Sequence, residues 1–431
     1  MEITDLYSSF LKCSAVCTDT RKLSENCLFI ALKGPNFNGN RFAGHALKEG
    51  AAYALVDEWE VASEGLSPAE KDRLLLVEDG LTALQDLGRH HRQTLGTPIV
   101  ALTGSNGKTT TKELIAAVLS QGKNTLATEG NLNNHIGVPL TLLRLRKETE
   151  IAVIEMGANH QKEIAFLCSL AEPDYGYITN FGKAHLEGFG GVEGVIKGKS
   201  EMYDYLLANK KTVFLNADDP IQRKKLEGYV QKVGFSRQDS QFFPIELKEE
   251  HPHLVLEAEG VQLPTNLSGV YNFTNCAIAV LIGKYFGIAL EDIKTALHTY
   301  VPQNMRTQWV EKGDHRILLD AYNANPTSMM AALGLFDQLE ADNKWVVLGD
   351  MFELGEATEE EHQAIADHLK QMPLKGAYLV GEHFNGVQTD LPRFSSFELL
   401  AEHLKKNPIA AASILIKGSR GMALERLLDL L

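Results

Sequence analysis

The sequence predicts an α/β chain of three domains: a small mixed α/β N-terminal domain, a central doubly wound domain and a C-terminal Rossmann-like domain. Three observations lead there. At 431 residues the chain is too long for one ordinary core, and about three domains is the expectation for that length. Apolar strand-like runs alternate with helical segments in two separate stretches, the pattern of a mainly parallel sheet covered by helices. Between those stretches residues 241–264 break the rhythm, and the pattern starts again near Pro302. The expected domains are therefore 1–83, 84–302 and 303–431.

In the first domain the apolar runs 27–32, 52–56 and 74–77 are separated by polar turns such as Lys33-Gly34-Pro35-Asn36 and Asn38-Gly39-Asn40. Leu81, Leu84, Leu87 and His91 then recur at helical spacing up to Gly96-Thr97-Pro98, a helix that leads into the second domain. Strands are expected there at 99–102, 151–154, 176–179 and 212–215, with ligands at their C-terminal ends. Residues 253–258 read as antiparallel strand, and 272–286 as a helix ending at Gly287. In the third domain the strands are 316–320, 344–349, 377–381 and 413–418, without a Gly-x-Gly-x-x-Gly fingerprint. No internal repeat or low-complexity tract occurs.

The most informative stretch is Thr103-Gly104-Ser105-Asn106-Gly107-Lys108-Thr109-Thr110, between the strand 99–102 and a helical segment from Thr111. Strand, glycine-rich turn and helix in that order form the phosphate cradle of a P-loop. Gly104 and Gly107 let backbone N–H groups approach a polyphosphate, and the helix N-terminus favours an anion. Lys108 supplies a point charge for the β- and γ-phosphates, and the Thr109 hydroxyl is a ligand for Mg²⁺. The usual spacing would put a first glycine where Leu102 stands. An ordinary turn before a helix is the alternative, but a Gly-Lys-Thr so placed favours use of ATP or GTP and an ATPase character for the central domain.

Composition limits the partners. Apolar residues make up 44% of the chain and charged ones 23%, as in a soluble globular protein. A formal net charge of −14 argues against nucleic acid or an acidic membrane surface as a partner. No run of 18 apolar residues would insert into a membrane, and the N-terminus lacks the basic and apolar regions of a signal peptide. Cys13, Cys17, Cys27, Cys168 and Cys276 are an odd, scattered set; no second pair completes Cys13-x₃-Cys17 as a metal site. Buried free thiols in a reducing cytoplasm are the expectation.

Three further residues are candidates. Glu155 follows the strand 151–154, where a second Mg²⁺ ligand belongs beside a P-loop; a solvated strand-end glutamate is the alternative, which the P-loop context disfavours. His185 follows the strand 176–179 and by itself reads as a surface loop histidine. Lys199 by itself reads as a solvated helix charge.

The order of several blocks resembles the Mur ligases of peptidoglycan synthesis over essentially the whole chain. That family shares the shortened P-loop Thr-Gly-x-x-Gly-Lys-[Thr/Ser]. Within it, the chain is most similar to the member adding the terminal dipeptide. The blocks are Glu155-Met156-Gly157-Ala158-Asn159-His160, Ala184-His185-Leu186-Glu187-Gly188-Phe189-Gly190 and Asp320-Ala321-Tyr322-Asn323-Ala324-Asn325-Pro326, then Leu348-Gly349-Asp350-Met351-Phe352-Glu353-Leu354-Gly355 and Lys417-Gly418-Ser419-Arg420. Thr18-Asp19-Thr20-Arg21 and Phe29-Ile30-Ala31-Leu32-Lys33-Gly34 resemble the family's UDP-binding domain.

The resemblance implies a bacterial, cytoplasmic, monomeric ligase using ATP and Mg²⁺. It would join D-alanyl-D-alanine to UDP-N-acetylmuramoyl-tripeptide through an acyl phosphate, releasing ADP and phosphate. It implies that Thr109 and Glu155 hold one Mg²⁺, and that His185 helps hold a second with a carbamylated Lys199. Asn275 would contact adenine, and Arg306 and Asp320 the ribose and phosphates. Asn323 would lie near the γ-phosphate, Asn133 and Asn134 would face the peptidyl substrate, and Thr20 and Arg21 would bind the UDP-linked end. Gln303-Asn304-Met305-Arg306-Thr307 is a looser match to the family. The rival readings are a sibling ligase (the member adding the third residue, or folylpolyglutamate synthase), a P-loop small-molecule kinase, and a non-catalytic nucleotide-binding protein.

Overall fold

The computed structural model describes residues 1–302 and 305–431; Gln303 and Asn304, at the head of the looser match, lie outside the described residues. The first sheet has four parallel strands in the order Val16–Cys17, Leu28–Ile30, Tyr53–Val56 and Leu74–Leu76. The helix Gly80–Leu95 follows it. Asp79 caps this helix by accepting from the Thr82 N–H at 2.7 Å, and Gly96, at φ 66°, ends it in the left-handed conformation. Leu84 and Leu87 on its apolar face are buried with Leu28, Ile30, Leu55 and Leu75, and Leu143 from beyond the P-loop completes the cluster. The helix expected to lead into the second domain is thus also part of the first domain's core.

The central sheet has seven strands, all parallel, in the order Phe243–Pro244, Lys232–Ser236, Thr212–Asn216, Tyr175–Ile178, Ile99–Thr103, Ile151–Glu155 and Thr125–Ala127. Ile99–Thr103 and Ile151–Glu155 are buried at every position, as helices on both faces require. Lys232–Ser236 and Thr125–Ala127 carry too little apolar sequence to announce themselves. Register decides the function: Leu102 pairs with Glu155, and Ile178 with Thr103. The P-loop, the carboxylate of Glu155 and the loop after Ile178 therefore leave the sheet at one edge. The break at 241–264 becomes a three-stranded antiparallel sheet of Glu246–Glu249, Val255–Ala258 and Val261–Pro264.

The last sheet places Gln308–Lys312 antiparallel to His315–Asp320, followed by the parallel strands Ser413–Lys417, Lys344–Gly349, Gly376–Val380 and Arg393–Phe394. Asp320 and Lys417 are register partners at two adjacent strand ends. Among the described residues no helix is long and apolar enough to cross a membrane.

Leu87→Ala leaves a cavity between the helix and the first sheet, which should destabilise that unit by about 2–5 kcal/mol. Denaturant unfolding followed by limited proteolysis should show residues before Gly96 opening first, with nucleotide affinity of the folded protein unchanged.

Candidate active site

The P-loop owes its shape to two glycines and to the loop that follows Ile178. Gly104 has φ 145°, and a Cβ there would lie 2.0 Å from Thr179 Oγ1. Gly107, at φ 77°, precedes the helix Lys108–Leu119, and a Cβ there would meet Asn275 Oδ1 at 2.7 Å. The Ser105 N–H donates to the Asn180 carbonyl (3.1 Å) and the Asn106 N–H to Asn180 Oδ1 (3.1 Å). Thr179 Oγ1 and Asn180 Nδ2 both donate to the Asn106 carbonyl, at 2.6 and 3.0 Å. With these groups paired outward, the N–H groups of the helix's first turn remain for an anion. Lys108 Nζ donates to the carbonyls of Gly104 (2.8 Å) and Ser105 (3.2 Å), and burial pulls its pKa below the usual lysine value against the attraction of Glu155.

Glu155 is 1% exposed, which excludes the alternative of a solvated strand-end glutamate. Its Oε2 accepts from the Thr109 hydroxyl at 2.8 Å and its Oε1 from Asn133 Nδ2 at 2.7 Å. Asn134 turns its oxygen to the N–H groups of Ile136 (3.1 Å) and Gly137 (2.9 Å), fixing the turn that carries Asn133. His185 stands before the short helix Leu186–Phe189, with its Nδ1 against the Glu353 carboxylate of the third domain.

Lys199 lies on the helix Val192–Ala208 but is 1% exposed, which overturns the reading of a solvated charge. Its Nζ donates to the Ala158 carbonyl at 3.0 Å and sits 4.9 Å from the centre of the Phe189 ring. Desolvation, with Lys108 adding to it, holds its pKa well below the ordinary lysine value. A neutral amine is the form that captures CO₂ as a carbamate, so the site suits that modification.

The third domain brings its own groups to the same place. Lys417, 1% exposed, donates to Asp320 Oδ2 at 2.6 Å and to the Asn323 carbonyl at 3.2 Å. Asp320 Oδ1 accepts from the Thr307 N–H at 3.1 Å, and the Arg306 guanidinium lies 4.0 Å over the Tyr322 ring. Asn325 caps the helix Pro326–Asp337 and reaches Asn106 Oδ1 in the P-loop at 2.7 Å. Asn275 is held between Thr111 Oγ1 and Asn272 Oδ1, each 2.9 Å away.

One cavity of about 590 Å³ joins these parts. It is lined by Ser105 to Thr110, Asn133, Asn134, Glu155, His185, Asn275, Arg306, Asp320 and Asn323. Thr103 and Gly104 shape the loop from outside the lining, and Lys199 lies behind it. Thr20 and Arg21 are not among the lining residues; Arg21 is exposed and paired with Asp19 at 2.8 Å. Sequence reasoning gave no role to Tyr322, Asn325, Lys417 or Glu353, although each stood in a block it singled out.

The donor set fits Mg²⁺. Thr109 and Glu155 put two hard oxygens side by side, while Asn106 Nδ2, a buried donor without a partner among the described residues, suits a phosphate oxygen of the nucleotide that would share the ion. Those residues contain no group of three or more His, Cys, Asp and Glu side chains that would hold a metal alone. Thr109 and Glu155 would supply two of an ion's oxygen ligands, leaving the others to phosphate oxygens and water.

Gly104→Ala should collapse the P-loop turn, because the new Cβ has nowhere to go. Nucleotide affinity should fall by at least ~10-fold by calorimetry while far-UV circular dichroism stays unchanged.

Comparison with known proteins agrees with this geometry. The family model "Mur ligase middle domain" matches residues 102–283, "Mur ligase, glutamate ligase domain" matches 305–430, and "Mur ligase family, catalytic domain" matches 12–92. A UDP-N-acetylmuramoyl-tripeptide–D-alanyl-D-alanine ligase from Bacillus subtilis is 36% identical over 424 residues, covering 96% of this chain and 92% of that one. Among solved structures, a MurF crystal structure from Acinetobacter baumannii superposes with TM-score 0.82 at 30% identity, covering 99% of this chain and 98% of the other. MurF ligase from Thermotoga maritima, solved with ADP, gives TM-score 0.81 at 27% identity, covering 98% and 97%.

Proposed function

The chain belongs to the Mur ligase family, and we infer that it is the ATP-dependent, ADP-forming ligase that joins D-alanyl-D-alanine to UDP-N-acetylmuramoyl-tripeptide in peptidoglycan precursor synthesis. The observation that carries this reading is the single cavity in which a P-loop, a buried strand-end carboxylate and the third domain's Asp320–Lys417 pair converge. A sibling ligase and a P-loop kinase are less favoured, because the full-length relatives are dipeptide-adding ligases.

The chemistry follows from charge. The tripeptide carboxylate attacks the γ-phosphorus of ATP, forming an acyl phosphate while ADP leaves. The amine of D-alanyl-D-alanine then attacks the acyl carbonyl, phosphate departs, and the amine's proton is lost as the amide forms. The repulsion between a carboxylate and a triphosphate is the barrier that the site must lower. Lys108 and the N–H groups of its helix hold the phosphate oxygens. Thr109 and Glu155 would hold Mg²⁺, with His185 and a carbamylated Lys199 holding a second ion. When bound, these ions would neutralise charge on the transferring phosphoryl group. Asn133 steadies Glu155 while Asn134 fixes the turn beneath. Asn275, Arg306 and Asp320 take the adenine, ribose and phosphate region, and Asn323 reaches toward the γ-phosphate. Asn325, docked on Asn106, closes the third domain over the cradle and keeps water from the acyl phosphate.

We assign residues 1–83, with Thr20 and Arg21, to the UDP-linked substrate, 84–302 to the nucleotide, and 303–431 to closure. We further infer a monomer in the bacterial cytoplasm, in keeping with five cysteines that are all unpaired.

Phosphate release from ATP should require UDP-muramoyl-tripeptide and D-alanyl-D-alanine together; release that ignores either one would refute the ligase. Diaminopimelate, lysine and glutamate should not replace the dipeptide. Lys108→Ala should lower kcat by ~100-fold or more, the scale of one lost charge-stabilising donor. Lys199→Ala should lose activity and regain part of it with added short carboxylates, which restore the missing oxygens; the absence of any rescue would count against the carbamate.

A further inference from the structure

We propose that Glu353 of the third domain is a positioning residue: its carboxylate takes the proton on His185 Nδ1 as a hydrogen bond and leaves Nε2 free to bind a metal ion only when that domain is docked. The inference rests on the ligase reading above, in which His185 is a Mg²⁺ ligand.

The two residues meet across a domain boundary, 168 positions apart in the chain. An imidazole that donates from one nitrogen presents a lone pair on the other, so its partner selects the tautomer. The contact has a second point, since the Glu187 N–H donates to the Glu353 carbonyl at 3.2 Å. Gly355 permits this approach: a Cβ there would lie 3.3 Å from that of Glu187.

The platform behind Glu353 is rigid. Asp350 accepts from the N–H groups of His383 (3.0 Å) and Phe384 (2.9 Å). The Met351 N–H donates to His362 Nε2 at 3.0 Å, and the Phe352 N–H to Ser419 Oγ at 3.0 Å. Each residue from 350 to 352 is thereby tied down, and the next side chain is the one that reaches His185. Both contact residues also hold left-handed backbone conformations, His185 at φ 53° and Glu353 at φ 62°. Non-glycine residues rarely sit there unless their surroundings demand it, and such positions gather at functional sites. The Glu353 side chain is 50% exposed, so the pair adds little to stability. What it fixes is which nitrogen carries the proton and where the ring points.

The test uses the full chain. Glu353→Ala should raise the Mg²⁺ concentration for half-maximal rate by ~10-fold, the lower end of what loss of such a partner does to metal affinity. The KM for ATP at saturating Mg²⁺ should stay at its wild-type value. Glu353→Gln, which keeps an acceptor but loses the charge, should recover part of the Mg²⁺ dependence. Glu361→Gln breaks a different contact between the same domains, the ion pair with Lys183, and should leave that dependence unchanged. In metal-free protein, ¹⁵N-histidine spectra assigned with His185→Gln should show His185 protonated on Nδ1 in the wild type and shifted toward Nε2 in Glu353→Ala. Either readout at its wild-type value in Glu353→Ala would overturn the proposal, as would an equal rise in Glu361→Gln. If the wild-type chain itself failed to ligate, the ligase reading would fall, while the imidazole spectra would still decide the pairing.

Discussion

A carboxylate taken out of water must be surrounded by donors, and the buried Glu155 imposes that demand on everything near it. Its two oxygens draw in the Thr109 hydroxyl and the Asn133 amide, and its own N–H is taken by Thr128 Oγ1 at 3.0 Å. Thr109 belongs to the first turn of the P-loop helix, Asn133 to a loop held by Asn134, and Thr128 follows the edge strand Thr125–Ala127. One strand-end acid thus ties three separate segments into one floor. The same anion offsets part of the charge of Lys108, which burial would otherwise make harder to keep protonated.

The third domain completes this floor from the other side. Its buried Lys417 meets Asp320 across adjacent strands, so an acid and a base on neighbouring strand ends satisfy each other and hold Asn323 by its carbonyl. The domain then touches the cradle through Asn325 to Asn106, Thr327 to the Lys183 N–H at 3.0 Å, and Thr307 to the Tyr271 hydroxyl at 2.8 Å. These are short polar side chains on loops and helix starts, suited to a contact that forms and breaks with turnover.

How much of this could be read from sequence depends on the range of the interaction. The strands of the central and third sheets were legible because runs such as 99–102 and 345–348 are apolar throughout, as burial on both faces requires. The P-loop was legible because its chemistry is local: glycine, lysine and threonine stand side by side. Lys199 was not, for a lysine on a helix carries no sign of burial until the helix has packed. Lys417 and Asp320 are 97 positions apart, and Asn106 and Asn325 are 219 apart; no local pattern marks such pairs. Family resemblance supplied Asp320, Asn323 and Lys199, and it stopped at residues that act through others. The short strands Thr125–Ala127 and Lys232–Ser236 escaped because their neighbours, not their own composition, make them strands.

The outermost pair of the central sheet, Phe243–Pro244, has a wider meaning. A parallel sheet that ends in bare peptide groups invites a stranger's chain to extend it. Pro244 has no N–H to offer, so the ladder finishes on a residue unable to continue it. A single imino acid thereby ends the ladder at this side of the sheet, away from the interior strands whose ends carry the catalytic loops.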